Sequence, residues 1–400
     1  MARSRTAHLA LLFLTVAATM TIGSALKAPC ANARWVEHRE GPTTQCYSDV
    51  ADLLHTEQLA GGRLPYLDPC HPAAAPCDEY PVGSMYVMRF VASLSGPNYA
   101  RFFWMNALLL LGCALFVAWC LDVMGGNAWM FAAAPSLLIY GTMNWDLIAV
   151  AFATGATLAF RRRRDGTSGA LLGLGTAAKI YPALLLVPFG AERVHDGERR
   201  RLLPLAGAAG ITWAVLNLPF AVAAFDGWWE FFRYNGSRPF EYDSLWFALC
   251  RHGVCAGPRA IDVASVVLTV AGLALVWRAR AARDPAFPRW TLAFPLIVLF
   301  LLTNKVYSPQ YGLWLVPWFA LVLPELRLFL VFEATEVAVF ITRFSFFGTL
   351  SGRPGLPYTA LEVAILARGL VLVWCLVAWV RRPAEARAEA LLAPGYDAAG

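Results

Sequence analysis

Of the chain's 400 residues, 58% are hydrophobic and only 15% are charged, against about 45–50% and about 25% in soluble domains. So few charges cannot coat the surfaces of the roughly two or three soluble domains this length could make. So apolar a chain is not disordered either. With a mean hydropathy of +0.52, what remains is an all-α polytopic membrane protein. Of its 33 basic residues only three are lysines: Lys27, Lys179 and Lys305.

A membrane-spanning helix takes about 20 mostly apolar residues. Twelve candidate spans follow in chain order: 7–26, 102–122, 128–143, 144–160, 168–179, 181–191, 202–224, 259–279, 289–303, 310–324, 327–345 and 359–380. The pieces between 128 and 191 are short. Broken helices at membrane depth are tolerated only where the freed backbone is covered by protein or lines a cavity, so a polar cavity is expected beside them. Segment 1–26 is followed by small residues of the kind a cleavage site uses (Ala25, Ala28, Ala31), but the many later spans favour an uncleaved anchor.

Arginine clusters set the expected orientation. Arg161–Arg164, then Arg193 with Arg199–Arg201, then Arg278, Arg280, Arg283 and Arg289, and finally Arg381, Arg382 and Arg387 fall on one side if the spans alternate. Arg3 and Arg5 join them. The positive-inside bias makes that side cytoplasmic, with both termini, and puts a first loop (27–101) and a second loop (225–258) outside. The residues 1–380 then form one transmembrane domain and 381–400 a cytoplasmic tail.

Six cysteines lie in those outer loops: Cys30, Cys46, Cys70 and Cys77 in the first, Cys250 and Cys255 in the second. Confinement to one face fits disulfides in an oxidising compartment, with the pairing left open. Zinc is disfavoured, because no Cys-x-x-Cys pair or tight Cys/His cluster is present. Within the first loop, Val50, Leu53, Leu54 and Leu59 fall on one helical face, with Ser48 or Asp49 as N-cap. Residues 82–94 are expected to lie on the membrane surface as an amphipathic or re-entrant helix. In the second loop, Gly227-Trp228-Trp229-Glu230-Phe231-Phe232 matches an interfacial aromatic belt, followed by Arg233, Asn235, Arg238, Glu241, Asp243 and Trp246. Asn235-Gly236-Ser237 fits a glycosylation sequon, here taken as coincidental.

Ionisable groups in or beside spans are functional candidates by default. Asp146, Lys179 and Lys305 all fall at the outer boundary, in Asn144-Trp145-Asp146, Ala178-Lys179-Ile180-Tyr181-Pro182 and Asn304-Lys305-Val306-Tyr307-Ser308-Pro309-Gln310-Tyr311. Lysine or arginine at that depth suits a lipid phosphate, although a single lysine could equally snorkel to solvent. Asp49 and Asp146 are the carboxylates best placed to take a proton from a hydroxyl, with Asp52, Asp78 and Glu79 behind them. Lys179, Lys305 or Arg238 could stabilise a departing phosphate. No Walker loop, Gly-x-Gly-x-x-Gly turn, Gly-x-Ser-x-Gly elbow or metal cage is found. Arg368, inside the last span, either lines a lipid-phosphate groove or pairs with Glu362.

Tyr47-Ser48-Asp49-Val50, Gly62-Arg63-Leu64-Pro65-Tyr66, Glu79-Tyr80-Pro81-Val82, Asn144-Trp145-Asp146, Gly173-Leu174-Gly175 through Lys179-Ile180-Tyr181-Pro182, and Asn304–Tyr311 occur in that order over residues 47–311. In this arrangement the chain resembles the actinobacterial integral-membrane glycosyltransferases of the GT-C superfamily, closest to glycosyltransferase family 87. The resemblance implies a GT-C-like bundle of about 12 transmembrane helices in the cell membrane, with a long first outer loop carrying amphipathic helices. It also implies an alpha-mannosyltransferase that uses a polyprenyl-phosphate mannose donor on the outer face. Asp49 is then the catalytic aspartate. Lys179, Lys305, Asp146, Arg238, Gln310, Tyr311 and Glu79 are the substrate-binding candidates.

The acceptor would be a glycolipid or glycan of the envelope, with no nucleic acid as partner and the oligomeric state left open. Asp49 and Asp52 are separated by two residues rather than forming an Asp-x-Asp pair, so no metal or other cofactor is indicated. Arabinofuranosyl transfer is the alternative chemistry. A lipid or solute transporter is the alternative class, and it would be expected to show inverted repeats and mid-bilayer charges; no repeat is evident.

Overall fold

The structure, a computed structural model, describes residues 2–37, 43–71 and 77–382; Arg387 and most of the tail lie outside them. The described residues are helical, with no strand among them. Five helical stretches are long and apolar enough to cross a membrane: Arg5–Cys30, Tyr99–Val123, Arg199–Ala223, Pro258–Arg283 and Tyr358–Arg381.

Twelve such stretches were expected, and the difference has local causes. The 128–143 segment is split into Ala128–Ala132 and Pro135–Tyr140, because Pro135 can begin a helix but not continue one. The 144–160 and 168–179 segments form helices of 16 and 14 residues, Asp146–Arg161 and Asp165–Ala178. Segments 181–191, 289–303 and 310–324 each open as a 3₁₀ turn, two of them at Pro182 and Pro309, before a short α-helix. Leu326–Leu350 is long enough, but its interior carries Glu333, Glu336 and Arg343.

The helices that frame the site are α1 (Ala2–Lys27), α2 (Asp49–Thr56), α3 (Val82–Ser95), α4 (Tyr99–Val123), α5 (Asp146–Arg161), α6 (Asp165–Ala178), α7 (Leu202–Ala223), α8 (Phe225–Ser237), α9 (Pro258–Arg283), α10 (Ala293–Thr303), α11 (Leu326–Leu350) and α12 (Tyr358–Arg381). Leu12, Val16 and Met20 of α1 are buried against the central helix α4 and the short helix Pro135–Tyr140. Small residues let α6 and α7 pack closely, with Gly169 and Gly173 lying against the backbone of Leu205 and Ala209, as membrane helices commonly do. By contrast, α7 and α9 bury only three residues each and leave a face of Leu, Val and Ile exposed.

Helix α3 is amphipathic as expected, exposing Phe90 and Leu94. Its other face is built into the bundle against α4 and α6 rather than laid on a surface. Helix α5 descends from Asp146 to Arg161, and α6 returns from Asp165 to Lys179. The arginine run and the Lys179 turn therefore occupy opposite ends of this pair. At the arginine end, Arg193 and Arg201 both bind Asp165 at 2.8 Å.

Candidate active site

The loop cysteines pair as Cys30–Cys46, Cys70–Cys77 and Cys250–Cys255. The first ties the end of α1 to the residue before Tyr47. Lys27, the last residue of α1, donates from Nζ to the Tyr47 carbonyl at 3.0 Å. Ser48 is the N-cap of α2, accepting from the Val50 amide, while its hydroxyl donates to the Thr142 carbonyl at 2.6 Å. The Asp49 amide donates to the Met143 carbonyl at 2.8 Å. Two anchors thus tie the 46–49 segment to the end of α1 and two hold it against the 142–144 turn, and Asp49 begins α2 with its carboxylate held on both oxygens. The Tyr47 hydroxyl donates to Oδ1, and Asn144 Nδ2 donates to Oδ2 at 2.6 Å.

Asp49 faces a cavity of about 510 Å³, within the usual range for small-molecule sites. Glu79, Lys179, Lys305, Arg238, Gln310 and Tyr311 line it too. Asp146, the remaining candidate, lies beneath the cavity and fully buried. It receives Lys179 Nζ at 3.3 Å and Trp314 Nε1 at 2.7 Å, so it is the counter-ion of Lys179 and not a second base facing the cavity. Lys179 ends α6 in extended conformation. Its ammonium stands 5.1 Å from the rings of both Tyr80 and Tyr311. Helix α3 approaches the same turn closely: a Cβ at Gly83 would sit 2.7 Å from the Ala177 carbonyl oxygen, and Ser84 donates to the Ala178 carbonyl at 2.7 Å.

The opposite wall is the 304–314 turn after α10. Tyr311 and Tyr181 sandwich Trp314, with centroids 4.1 and 4.2 Å away. Lys305 is buried, and its ammonium donates to Asp262 at 2.9 Å and to the Gly236 carbonyl at 3.2 Å. From behind, Tyr307 is covered by Arg368, whose guanidinium lies 3.5 Å from the ring centroid. Arg368 pairs with Glu336 at 3.8 Å and donates to the Asp243 carbonyl. Glu362, the partner considered from sequence, instead binds His252 at 2.6 Å. Glu336 also explains Gly312, where a Cβ would come within 2.6 Å of the Glu336 carboxylate.

Sequence reasoning passed over Arg343 of α11, which lines the cavity. Its Nη1 meets Asp243 at 2.6 Å and its Nη2 donates to Glu241 at 3.3 Å. Arg238 donates to the other Glu241 oxygen. The missed signal was an arginine inside a predicted span. The aromatic run of the second loop is α8: Phe231 and Phe232 face the cavity, and the sequon's Asn235 is held in helix, its amide donating to the Phe231 carbonyl at 2.8 Å.

Burial raises the Asp49 carboxyl above its ordinary range, against the hydrogen bonds from Tyr47 and Asn144 and the charge of Lys179. Glu79 is likewise pushed up by burial to about 6, opposed chiefly by Arg238. Burial would do the same to Glu241, but Arg343 and Arg238 overcome it and hold that carboxyl below its ordinary range. The cations come with acidic partners, whereas Asp49 is held by neutral donors. It is therefore a carboxylate with retained basicity, facing a space large enough for a sugar. Among the described residues, no group of three His, Cys, Asp or Glu side chains forms a metal cage.

The family model of glycosyltransferase family 87 matches residues 79–304. That is more than half of the chain, from Glu79 through the Lys179 turn to Asn304. No curated protein matches the chain significantly.

Proposed function

The chain belongs to glycosyltransferase family 87 and is a membrane glycosyltransferase; from that premise we propose that it transfers mannose from a polyprenyl phosphate to an envelope glycolipid or glycan. The setting is the outer face of the cell membrane, with the arginine-rich helix ends and both termini in the cytoplasm. In this reading the short and broken helices complete a twelve-span GT-C-like domain over residues 1–380, followed by a tail.

Asp49 is the general base. The acceptor hydroxyl gives its proton to an Asp49 oxygen as the hydroxyl oxygen attacks the anomeric carbon. The bond from that carbon to the phosphate oxygen breaks, its electron pair leaves with the polyprenyl phosphate, and the configuration inverts. Lys179, Lys305 and Arg238 supply the positive field in which the phosphate charge develops. Glu79, Gln310 and Tyr311 offer hydrogen bonds to sugar hydroxyls. Because the donor is already activated, the reaction needs no nucleotide.

The observation that carries this reading is the position of Asp49 in the shared cavity, held by Tyr47 and Asn144 opposite a cationic wall. Membranes containing the protein, incubated with radiolabelled polyprenyl-phosphomannose, should yield a labelled glycolipid or glycan that the Asp49→Asn protein does not make. Absence of any new labelled product with wild-type protein would overturn the mannosyl assignment. Product from the arabinofuranosyl donor alone would replace it with pentose transfer. Donor movement across the membrane without transfer would favour a transporter.

A further inference from the structure

The two lysines of the cavity are matched to partners that anchor them: Lys179 to the fully buried Asp146, and Lys305 to Asp262 together with the Gly236 carbonyl. The arginines are arranged differently. Arg238, at the end of α8, and Arg343, from α11, reach the cavity from separate elements and close on the same carboxylate, Glu241. Glu241 lies on the connection between α8 and the helix Leu245–Arg251, and its side chain is about 20% exposed. Its place in the chain is fixed by backbone, since its amide donates to the Lys305 carbonyl at 2.9 Å. The carboxylate could therefore swing away without moving the segment.

Arg343 is also prepared for an exchange. One guanidinium nitrogen stays with Asp243 at 2.6 Å, so the arginine keeps a counter-ion when the other nitrogen changes partner. Asp243 is itself anchored, its carbonyl accepting from Arg368 at 3.0 Å. A fork of two guanidiniums that binds a carboxylate binds a phosphate through the same donors. The donor phosphodiester offers two terminal oxygens and one charge, as the carboxylate does, and the departing monoester gains a third oxygen and a second charge, so the fork grips the phosphate most strongly as the glycosidic bond forms.

Resting on the proposed polyprenyl-phosphate donor, we propose that Arg238 and Arg343 form the phosphate fork of this site and that Glu241 occupies it in the empty enzyme, yielding it when the donor phosphate arrives. Glu241 is an internal competitor. It keeps two buried arginines neutralised between turnovers and sets the affinity for the departing polyprenyl phosphate.

The test is equilibrium binding of radiolabelled farnesyl phosphate to the full-length, detergent-solubilised protein. Arg343→Gln should weaken binding at least tenfold. Glu241→Gln removes the competing charge, keeps the Arg343–Asp243 pair and the backbone bond to Lys305, and should strengthen binding several-fold. Unchanged binding by Arg343→Gln, or a loss in Glu241→Gln, overturns the inference while leaving the polyprenyl-phosphate donor intact. Failure of the wild-type protein to bind farnesyl phosphate overturns both. Should Arg343→Gln not fold, the direction of the Glu241→Gln change decides alone.

Discussion

Asp49 and Asn144 are 95 residues apart in sequence, and their side chains meet at 2.6 Å. Asn144 spends its other contacts nearby. Nδ2 also reaches the Tyr80 hydroxyl at 2.6 Å, and Oδ1 accepts from the Trp145 amide. The proposed base is thus referenced to the start of α5, the same helix whose first residue, Asp146, holds Lys179. Base and cation are positioned by neighbouring residues of one turn.

Asp49→Asn should lower transfer by about 10²–10⁴-fold, the usual worth of a positioned general base. The variant should still fold, because the amide retains the size and most of the bonding of the carboxylate. Transfer assays on equal amounts of monodisperse protein check this. Asn144→Ala removes one hydrogen bond to a charged group, worth about 1.5 kcal/mol or more. It should cost about tenfold in kcat/KM.

The acid limb of the pH profile should lie above the ordinary carboxylate range. A base works only when deprotonated, and burial raises the Asp49 carboxyl, so kcat/KM climbs with pH through that raised value. Tyr47→Phe removes a hydrogen bond that favours the charged form. The limb should then move further towards alkaline pH. A limb that moved the other way would show that the Tyr47 hydroxyl does not stabilise the Asp49 charge.

The Lys179–Asp146 pair should be expensive to break from one side. Asp146→Ala leaves a buried ammonium without its counter-ion, which in such sites costs about 3–5 kcal/mol. Thermal denaturation in detergent should show a large fall in Tm. Lys179→Met strands the Asp146 carboxylate in the same way and should destabilise comparably. Lys305, whose partner Asp262 is about 43% exposed, should give a much smaller change on substitution.

Opening Cys30–Cys46, which closes a 16-residue separation, should cost about 3 kcal/mol on the chain-entropy account. It also frees the segment entering Tyr47. Cys30→Ser/Cys46→Ser protein should therefore lose both Tm and transfer rate. Opening Cys250–Cys255, on the far side of the second loop, should leave the rate largely unchanged.

Much of this was legible in sequence wherever one physical signal dominated. Apolar length marked the five long helices, Pro182 and Pro309 marked the breaks, and the scarcity of lysine drew attention to Lys179 and Lys305. What escaped depended on three-dimensional pairing. Asp146 read as a second base because a sequence does not show that Lys179 and Trp314 consume its oxygens. Arg343 was hidden within an apolar stretch, and Arg368 pairs with Glu336, 32 residues back on another helix, rather than with Glu362, six residues away on its own. The short helices fall below the length of a complete span taken singly, and hydropathy alone does not distinguish a helix buried among neighbours from one that crosses lipid.

The outward faces of α7 and α9 have a kinetic consequence. Helix α9 reaches the cavity through Asp262, α7 leads directly into α8, whose Phe231 and Phe232 line it, and the exposed large side chains of both helices are Leu, Val and Ile. The proposed polyprenyl-phosphate donor, confined to the bilayer by its tail, therefore approaches by lateral diffusion in two dimensions. The relevant concentration is its mole fraction among lipids, so adding inert phospholipid at constant bulk donor will slow the enzyme by surface dilution alone.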